Sequence, residues 1–296
     1  MGRVHRGAAG PGSAAGAAAG PEPGPQLPLL GTRPPLRDYL AELWSRRHFL
    51  VVLAWSRFRS ENERDRLGAA WIVLKPLINA AVYGAVFGLL LGPGSRPENF
   101  VPFLVAGVFV FSFFSSSLTE GASSVSGNVE LIRSLRFPRA VLPLAIVLQR
   151  GLGMVPMTGV LLLFVVGSGE PVRLRWLLAL PALVLLAVFN AGVALAAARL
   201  TVHLRDLAQL LPFLTRLLFY VSGVFYSVDR IETGPLVETL LQLNPAHVFI
   251  TLVRGALLTE SSAPAGLWLL ALGQAAVALV AGFLFFWRAE QEYGRD

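Results

Sequence analysis

Two arginines interrupt long apolar stretches of this chain, Arg150 within 141–167 and Arg216 near the middle of 207–226. A guanidinium placed in hydrocarbon costs roughly 3 kcal/mol or more unless it is paired. No Asp or Glu sits at a matching depth, which leaves backbone carbonyls, a water-filled path or an anionic ligand. Arg150 lies near the start of its stretch, where it can snorkel to the boundary or hydrogen-bond between helices, aided by Asn79 or Asn190. The sharper chemistry belongs to Arg216, placed to help an anionic headgroup such as a lipid pyrophosphate through. Aromatic rings crowd nearby stretches: Phe100, Phe103, Phe109, Phe111, Phe113 and Phe114 in one, Tyr220, Phe225 and Tyr226 at the end of another. Aromatic rims are ordinary at membrane interfaces, yet such faces also stack on sugar rings. Arg216, Arg150, Phe109, Phe113, Tyr220 and Tyr226 are therefore the candidate substrate-path residues.

Other chemistry is excluded by what the chain lacks. There is no cysteine, and His5, His48, His203 and His247 show no metal-ligand spacing. The spans hold essentially no carboxylates, so no acid–base dyad or proton relay forms. No serine sits in a Gly-x-Ser-x-Gly elbow. The one lysine, Lys75, is followed by Pro76, so no phosphate-cradling Gly-x-x-x-x-Gly-Lys-Ser/Thr loop exists. The expectation is a chain with no catalytic residue, metal or cofactor of its own, which cannot hydrolyse ATP.

These residues must be positioned by membrane-spanning helices. The 296 residues are 54% hydrophobic and only 15% charged, with a mean hydropathy of +0.61, outside the soluble globular range. Six stretches, near 71–92, 100–120, 141–167, 175–198, 207–226 and 265–287, are each long enough for a hydrocarbon core of about 30 Å. None alternates with period 2, so the expected fold is an all-α polytopic membrane protein with six transmembrane helices. The net charge of +7 is almost entirely arginine, without a basic stripe interleaved with aromatics, so anionic lipid headgroups and not nucleic acid are the expected partners. Arginine in place of lysine, with abundant Ala, Gly and Pro, points to a GC-rich bacterial genome.

Loop charges orient the helices. The region before the first span, the 121–140 loop (Arg133, Arg136, Arg139) and the 199–206 turn (Arg199, His203, Arg205) are basic. Loop 93–99 sets Arg96 against Glu98, and 227–264 sets Asp229, Glu232, Glu238 and Glu260 against Arg230 and Arg254. The positive-inside rule then puts both termini in the cytosol. Residues 1–35 are an Ala/Gly/Pro tract expected to be a disordered cytosolic tail. Residues 36–70 form a pre-membrane segment, 71–288 the six spans and 289–296 a C-terminal cytosolic tail. Within Leu36–Phe58, the residues Leu36, Leu40, Leu43, Val51, Ala54 and Phe58 recur at helical spacing, broken once by Arg47 and flanked by Trp44 and Trp55. That pattern predicts an amphipathic helix in the cytosolic interface. A long outer segment, 227–264, contains helical apolar runs Leu236–Leu243 and Val248–Leu258, and either dips back into the bilayer or caps an exit. Asn244-Pro245-Ala246 marks a Pro-containing helix break there.

The most informative segment is the insert Gly127–Arg139. Val129, Leu131, Ile132 and Leu135 fall at helical spacing, Asn128 can cap the first turn, and Pro138 ends the helix. Such a small anchored helix, amphipathic and cytosolic, is suited to presentation to a partner.

The layout over residues 36–293 resembles the permease subunits of ABC-2-type exporters of polysaccharides, teichoic acids and polyol-phosphate polymers. The motifs are Asp65-Arg-Leu-Gly68 with Trp71 and Pro76; Gly127-Asn128 through Phe137-Pro-Arg139; Arg205-Asp206; Ser222-Gly-Val-Phe-Tyr226; Asn244-Pro245 with Arg254; and Phe286-Trp-Arg-Ala-Glu290. The resemblance implies a half-transporter: a permease homodimer forming a channel, each copy docking a separate ABC-type ATPase subunit that carries ATP and Mg. It implies a coupling helix at Asn128–Phe137, with Asn128, Val129, Leu131, Ile132, Arg133, Leu135, Arg136 and Phe137 as the ATPase-coupling residues. An interface helix over Leu36–Phe58 and an extracellular re-entrant gate hairpin over 229–260 are implied too. The chain departs from the family pattern at Glu61-Asn62-Glu63-Arg64-Asp65-Arg66, where many members carry a basic Tyr-Arg-x-Ser segment, which makes that surface mixed in charge. The resulting expectation is export of a lipid-linked glycan or teichoic-acid-like polymer across the bacterial cytoplasmic membrane. Export of small drugs or lipids by the same architecture is one alternative, and a membrane-embedded enzyme of lipid-linked sugar metabolism is another. The polymer itself is not legible, since teichoic acid, O-antigen, galactan and capsule all fit.

Overall fold

The computed structural model describes residues 35–63, 66–90, 99–227, 239–241 and 243–290, with the backbone alone at 89 and 90. Almost all of the 1–35 tail, part of the charged patch, residues 91–98 with the end of the expected first span, the hairpin residues 228–238 and 242, and the last six residues lie outside these. Among the described residues every regular element is helical.

Two helices precede the first span: α1 (Leu36–Ser45) and α2 (Arg47–Glu63). The expected single helix over Leu36–Phe58 is thus two, with the break at Arg46, where the apolar stripe shifts phase. Of the stripe residues Ala54 is fully buried while Leu40 and Val51 are exposed on the single chain, and Tyr39, beside the stripe, is fully buried. On α2 the packed positions follow Ala54 at helical spacing, through Arg57 and Phe58. Trp44 and Trp55 stay outward, as an interfacial helix requires.

Five helices are long and apolar enough to cross a bilayer. They are α3 (Ala70–Leu90), α4 (Phe100–Ala122), α6 (Val141–Gly167), α7 (Ala179–His203, entered through a 3-10 turn at Leu174–Leu178) and α10 (Ala265–Arg288). The remaining helices are α5 (Val129–Ser134), α8 (Leu207–Val221) and α9 (Pro245–Leu257). The expected fifth span is shorter than its apolar run: α8 has 15 residues, about 22 Å against the 30 Å needed. It stops because Gly223 takes a left-handed conformation (φ +69°), and the Ser222 hydroxyl turns back onto the Leu218 carbonyl. The expected 199–206 turn also shrinks, since Arg199 and His203 are on the last turns of α7.

The core is built around α4, whose inner faces are buried almost end to end against α6, α7 and α9. Two close approaches fix the helix pairing. A side chain at Gly192 or Gly282 would collide with the facing backbone of α10 or α7, and one at Gly121 would meet Ala194 at 2.6 Å. Small residues here let backbones touch where apolar lipid offers no hydrophobic drive. Helix α9, within the segment expected to dip back into the bilayer or cap an exit, is buried along most of its length. Asn244 caps it, accepting from the Ala246 N–H with Pro245 at the first turn, so the Asn-Pro pair is a helix start.

One end of the bundle carries α1, α2, α5, the start of α6 and the finish of α10; we call it the α5 end. A small cluster ties it together: Tyr39, Val125, Ala140, Leu195, Ala198, Phe286 and Ala289, with Ile132 packed against them. The Tyr39 hydroxyl donates to Glu290 Oε2 (2.8 Å) and accepts from the Ala140 N–H (3.3 Å). Glu290 Oε1 accepts from the Arg139 N–H (3.1 Å), and the Arg139 guanidinium donates to the Glu290 carbonyl. Glu290, at the start of the expected C-terminal tail, braces α1, the α5–α6 turn and α10.

Burial pushes the Glu290 carboxyl up to about 7, although hydrogen bonds from Arg139 and Tyr39 oppose the rise. A raised carboxyl pKa means the folded state prefers the protonated form. The stability of this brace is therefore fully present below the ordinary carboxylate range, near 4.5, and is lost as pH climbs through about 7. Glu290→Gln removes that titration. Its melting temperature is expected to gain a few degrees on the wild type between pH 5 and 8, with a pH-independent difference counting against the brace.

At the opposite end, which we call the α9 end, Glu170 accepts from Asn99 (2.8 Å) and from the Thr259 N–H and hydroxyl. Burial pushes this carboxyl up, but the Thr259 and Asn99 hydrogen bonds outweigh it and hold Glu170 below the usual carboxylate range.

Candidate functional site

The first of the two arginines that opened the sequence reading is paired, which corrects the expectation that no carboxylate reaches its depth. Arg150 Nε donates to Glu120 Oε2 at 2.7 Å, and Nη2 lies 2.5 Å from the same oxygen. Nη2 also reaches Glu61 at 3.1 Å, whose other oxygen accepts from Gln149 Nε2 at 2.7 Å. Glu120 occupies the last turns of α4, and Glu61 comes from α2. The trio thus binds the pre-membrane helix to two spans, and neither Asn79 nor Asn190 takes part. Asn190 instead donates to Ser117 and the Phe113 carbonyl.

This trio walls a cavity of about 280 Å³ at the α5 end, bounded also by Trp71, Lys75, Pro76, Ser116 and Phe113. A second cavity of about 250 Å³ adjoins it, sharing Pro76, Ser112 and Ser116 and continuing along Asn79, Ser115, Thr215 and Arg216. Together they form one groove between α3, α4 and α8, running from the carboxylate–arginine trio to the Arg216 guanidinium. Its polarity comes from one face of each helix: Lys75 and Asn79 on α3; Ser112, Ser115, Ser116 and Glu120 on α4; Thr215 and Arg216 on α8. Pro76 and Pro212 border the groove and interrupt the helix bonding of α3 and α8, leaving the carbonyls one turn earlier without their usual N–H partner.

Of the expected path residues, Arg150, Arg216 and Phe113 line this groove. Tyr220 is exposed beside it, its ring 5.9 Å from that of Phe219. Phe109 does not qualify: it is wholly buried in the core and reaches neither cavity. Tyr226 also reaches neither cavity; its hydroxyl closes the end of α8 by donating to the Tyr220 and Val221 carbonyls. The serines of α4, overlooked beside the phenylalanines, recur at i, i+3 and i+4, a helical face legible in the sequence. Arg254, counted in the sequence with the outer-loop charges, is a buried residue of α9.

The insert forms a shorter helix than expected. Ser126–Asn128 make a 3-10 turn, α5 follows, and Leu135 is already extended (φ −129°, ψ 139°) three residues before Pro138. Asn128 does not cap the helix with its side chain, because the preceding turn runs directly into α5. Its amide instead bridges two elements, donating to the Ser124 carbonyl (2.7 Å) and accepting from Arg57 Nη2 (2.8 Å). Phe137 packs on Phe49 of α2 at 5.4 Å between ring centres. Val129, Arg133, Leu135 and Arg136 face outward, while Leu131 is half-buried and Ile132 packs inward. The outcome is a small helix clamped by α2 from behind with an apolar-and-basic front.

Comparison with known proteins follows the same lines. Residues 49–258 match the family model for the ABC-2 type transporter. The chain is similar to an O-antigen export system permease protein, RfbA, of Klebsiella pneumoniae, with 29% identity over 71% of this chain and 87% of that protein. A protein of the same name from Myxococcus xanthus is 28% identical over 81% of this chain and 91% of its own length. The matched region takes in the groove, α5 and α9. The chain belongs to the ABC-2 type transporter family, as a multi-pass transport subunit and not an enzyme.

Proposed function

We propose that this chain is the permease half of an exporter that moves a lipid-linked polysaccharide or teichoic-acid-like polymer outward across the cytoplasmic membrane, driven by a separate ATPase. The observation that carries the reading is the groove. It is lined by hydroxyl, amide and aromatic side chains suited to sugars, with Lys75 and Arg150 at one end and Arg216 deeper in. Arg216 suits an anionic headgroup, whereas Glu61 and Glu120 balance Lys75 and Arg150 at the other end; a path for small apolar drugs has no use for a cation at Arg216. The relatives named as O-antigen export permeases support the same substrate class.

In this reading the α5 end is cytosolic, both termini are inside, and α8 is the sixth crossing with α9 at the outer gate. The outward faces of α3 (Ile78, Val82, Val86) and α8 (Leu210, Phe213, Leu214, Leu217) flank the groove and are exposed in the single chain. A second copy covers them and closes the groove into a channel, which keeps Arg216 away from lipid. The front of α5 docks on the ATPase.

Deleting the chain is expected to leave completed polymer trapped on its lipid inside the cell. Arg216→Gln, expressed at wild-type level, is expected to restore surface polymer to roughly a tenth or less, one lost charge-assisted contact being about 1.5–3 kcal/mol. Full restoration by Arg216→Gln removes that residue from the path; a deletion without trapped polymer removes the function.

A further inference from the structure

Arg254 is 3% exposed, yet no carboxylate lies within ion-pair reach of it among the described residues. Its guanidinium is satisfied by backbone carbonyls alone. Nε donates to Phe103 O at 3.0 Å, Nη1 to Gly223 O at 2.8 Å and Nη2 to Val224 O at 2.7 Å. The planar group also lies over the Phe103 ring, 3.4 Å from its centre. The site is shaped for it: any side chain at Gly107 of α4 would collide with Nη2. One side chain of α9 thus holds the first turn of α4 and the break after α8.

The break is what matters for transport. Asn244 donates to the Ser222 hydroxyl at 3.1 Å, and the His247 ring contacts the Ser222 carbonyl at 3.3 Å. With Arg254, three polar side chains of α9 fix Ser222, Gly223 and Val224 in order. The next residue is Phe225, 1% exposed. Its ring stacks on Phe87 at 4.3 Å and meets Phe219 at 4.9 Å and Tyr83 at 5.2 Å. Tyr83 and Phe219 both line the second cavity. Phe225 lines neither cavity itself; it packs directly behind Tyr83 and Phe219, the aromatic wall of the second cavity.

We propose that Arg254 is a positioning residue that latches this wall: by gripping the Gly223 and Val224 carbonyls it holds Phe225 behind Tyr83 and Phe219 and so keeps the groove closed beside them, and passage of polymer requires the grip to release. Carbonyl acceptors suit a latch better than a carboxylate does. Release breaks hydrogen bonds that water in the opened groove replaces, without separating a buried ion pair. The proposal rests on the groove being the export path.

The test uses the permease purified with its ATPase and reconstituted in liposomes loaded with carboxyfluorescein, without ATP. Arg254→Gln and Gly107→Ala, which displaces the guanidinium without removing it, are expected to raise dye leak at least about tenfold, the rate equivalent of roughly 1.4 kcal/mol. Phe225→Ala is expected to leak as much, and Arg254→Gln combined with Phe225→Ala no more than either alone. A merely structural role lowers yield and melting temperature but leaves assembled complexes tight. Tight vesicles with assembled Gly107→Ala, even where Arg254→Gln fails to assemble, overturn the latch; so does a tight Phe225→Ala. A wild-type complex unable to export polymer instead overturns the underlying function.

Discussion

Replacing Val129 and Leu135 together by Asp is expected to cut ATP-driven export by roughly a hundredfold while the permease still inserts and folds. Val129 opens α5 and Leu135 follows its last turn; both are exposed, 37% and 49%, and neither belongs to a core cluster of the permease. If the front of α5 docks on the ATPase, each Asp places a charge in an apolar contact. A cost of about 1.4 kcal/mol per site is a factor of ten, and two sites compound. ATP hydrolysis by the free ATPase is expected to continue, now without export. Ile132→Asp should behave differently, because Ile132 packs on the Tyr39 cluster; it should lower the amount of folded permease as well as export. Export and complex formation at wild-type level in the double Asp variant would show that α5 is not the docking helix.

Arg150→Gln is expected to have the second largest effect. The arginine stands between Glu61 and Glu120, and removing it leaves two carboxylates facing each other across the first cavity. A fully buried pair broken this way loses about 3–5 kcal/mol, but these groups are a quarter to nearly half exposed, so about 1–2 kcal/mol is the fitting scale. That corresponds to several degrees of melting temperature. The effect on export should be larger, tenfold or more, because the trio is the direct charged link from α2 to α4 and α6. Adding Glu61→Gln and Glu120→Gln to Arg150→Gln should recover the lost stability, since three amides neither repel nor need a counter-charge. A stable, fully active Arg150→Gln permease would contradict this role.

Much of this architecture was legible in the sequence because apolar length and charge placement report directly on membrane helices. The long spans, the outward Trp44 and Trp55, and a short helix in the Gly127–Arg139 insert all follow from local pattern. What pattern could not supply was pairing across distance. Glu61 and Glu120 lie far from Arg150 along the chain, and depth along separate helices does not show which side chains meet. Arg254 carried the same signal as Arg150 and Arg216, a lone cation in an apolar helical run. It was obscured because its charge was summed with those of the outer segment 227–264, although the run Val248–Leu258 that holds it reads as helical. The short α8 was hidden for a related reason: hydropathy continues through Ser222–Tyr226, whereas the left-handed Gly223 ends the helix there.

The account turns on one activity, and inside-out vesicles containing the permease and its ATPase measure it most directly. Loaded from outside with a lipid-linked polysaccharide, they should move the glycan into a glycosidase- and lectin-protected lumen only with ATP, and the glycan lipid should stimulate ATP hydrolysis. Failure to protect any glycan, with hydrolysis stimulated instead by small amphiphiles, would contradict the polysaccharide-export reading and favour a drug or lipid exporter built on the same frame.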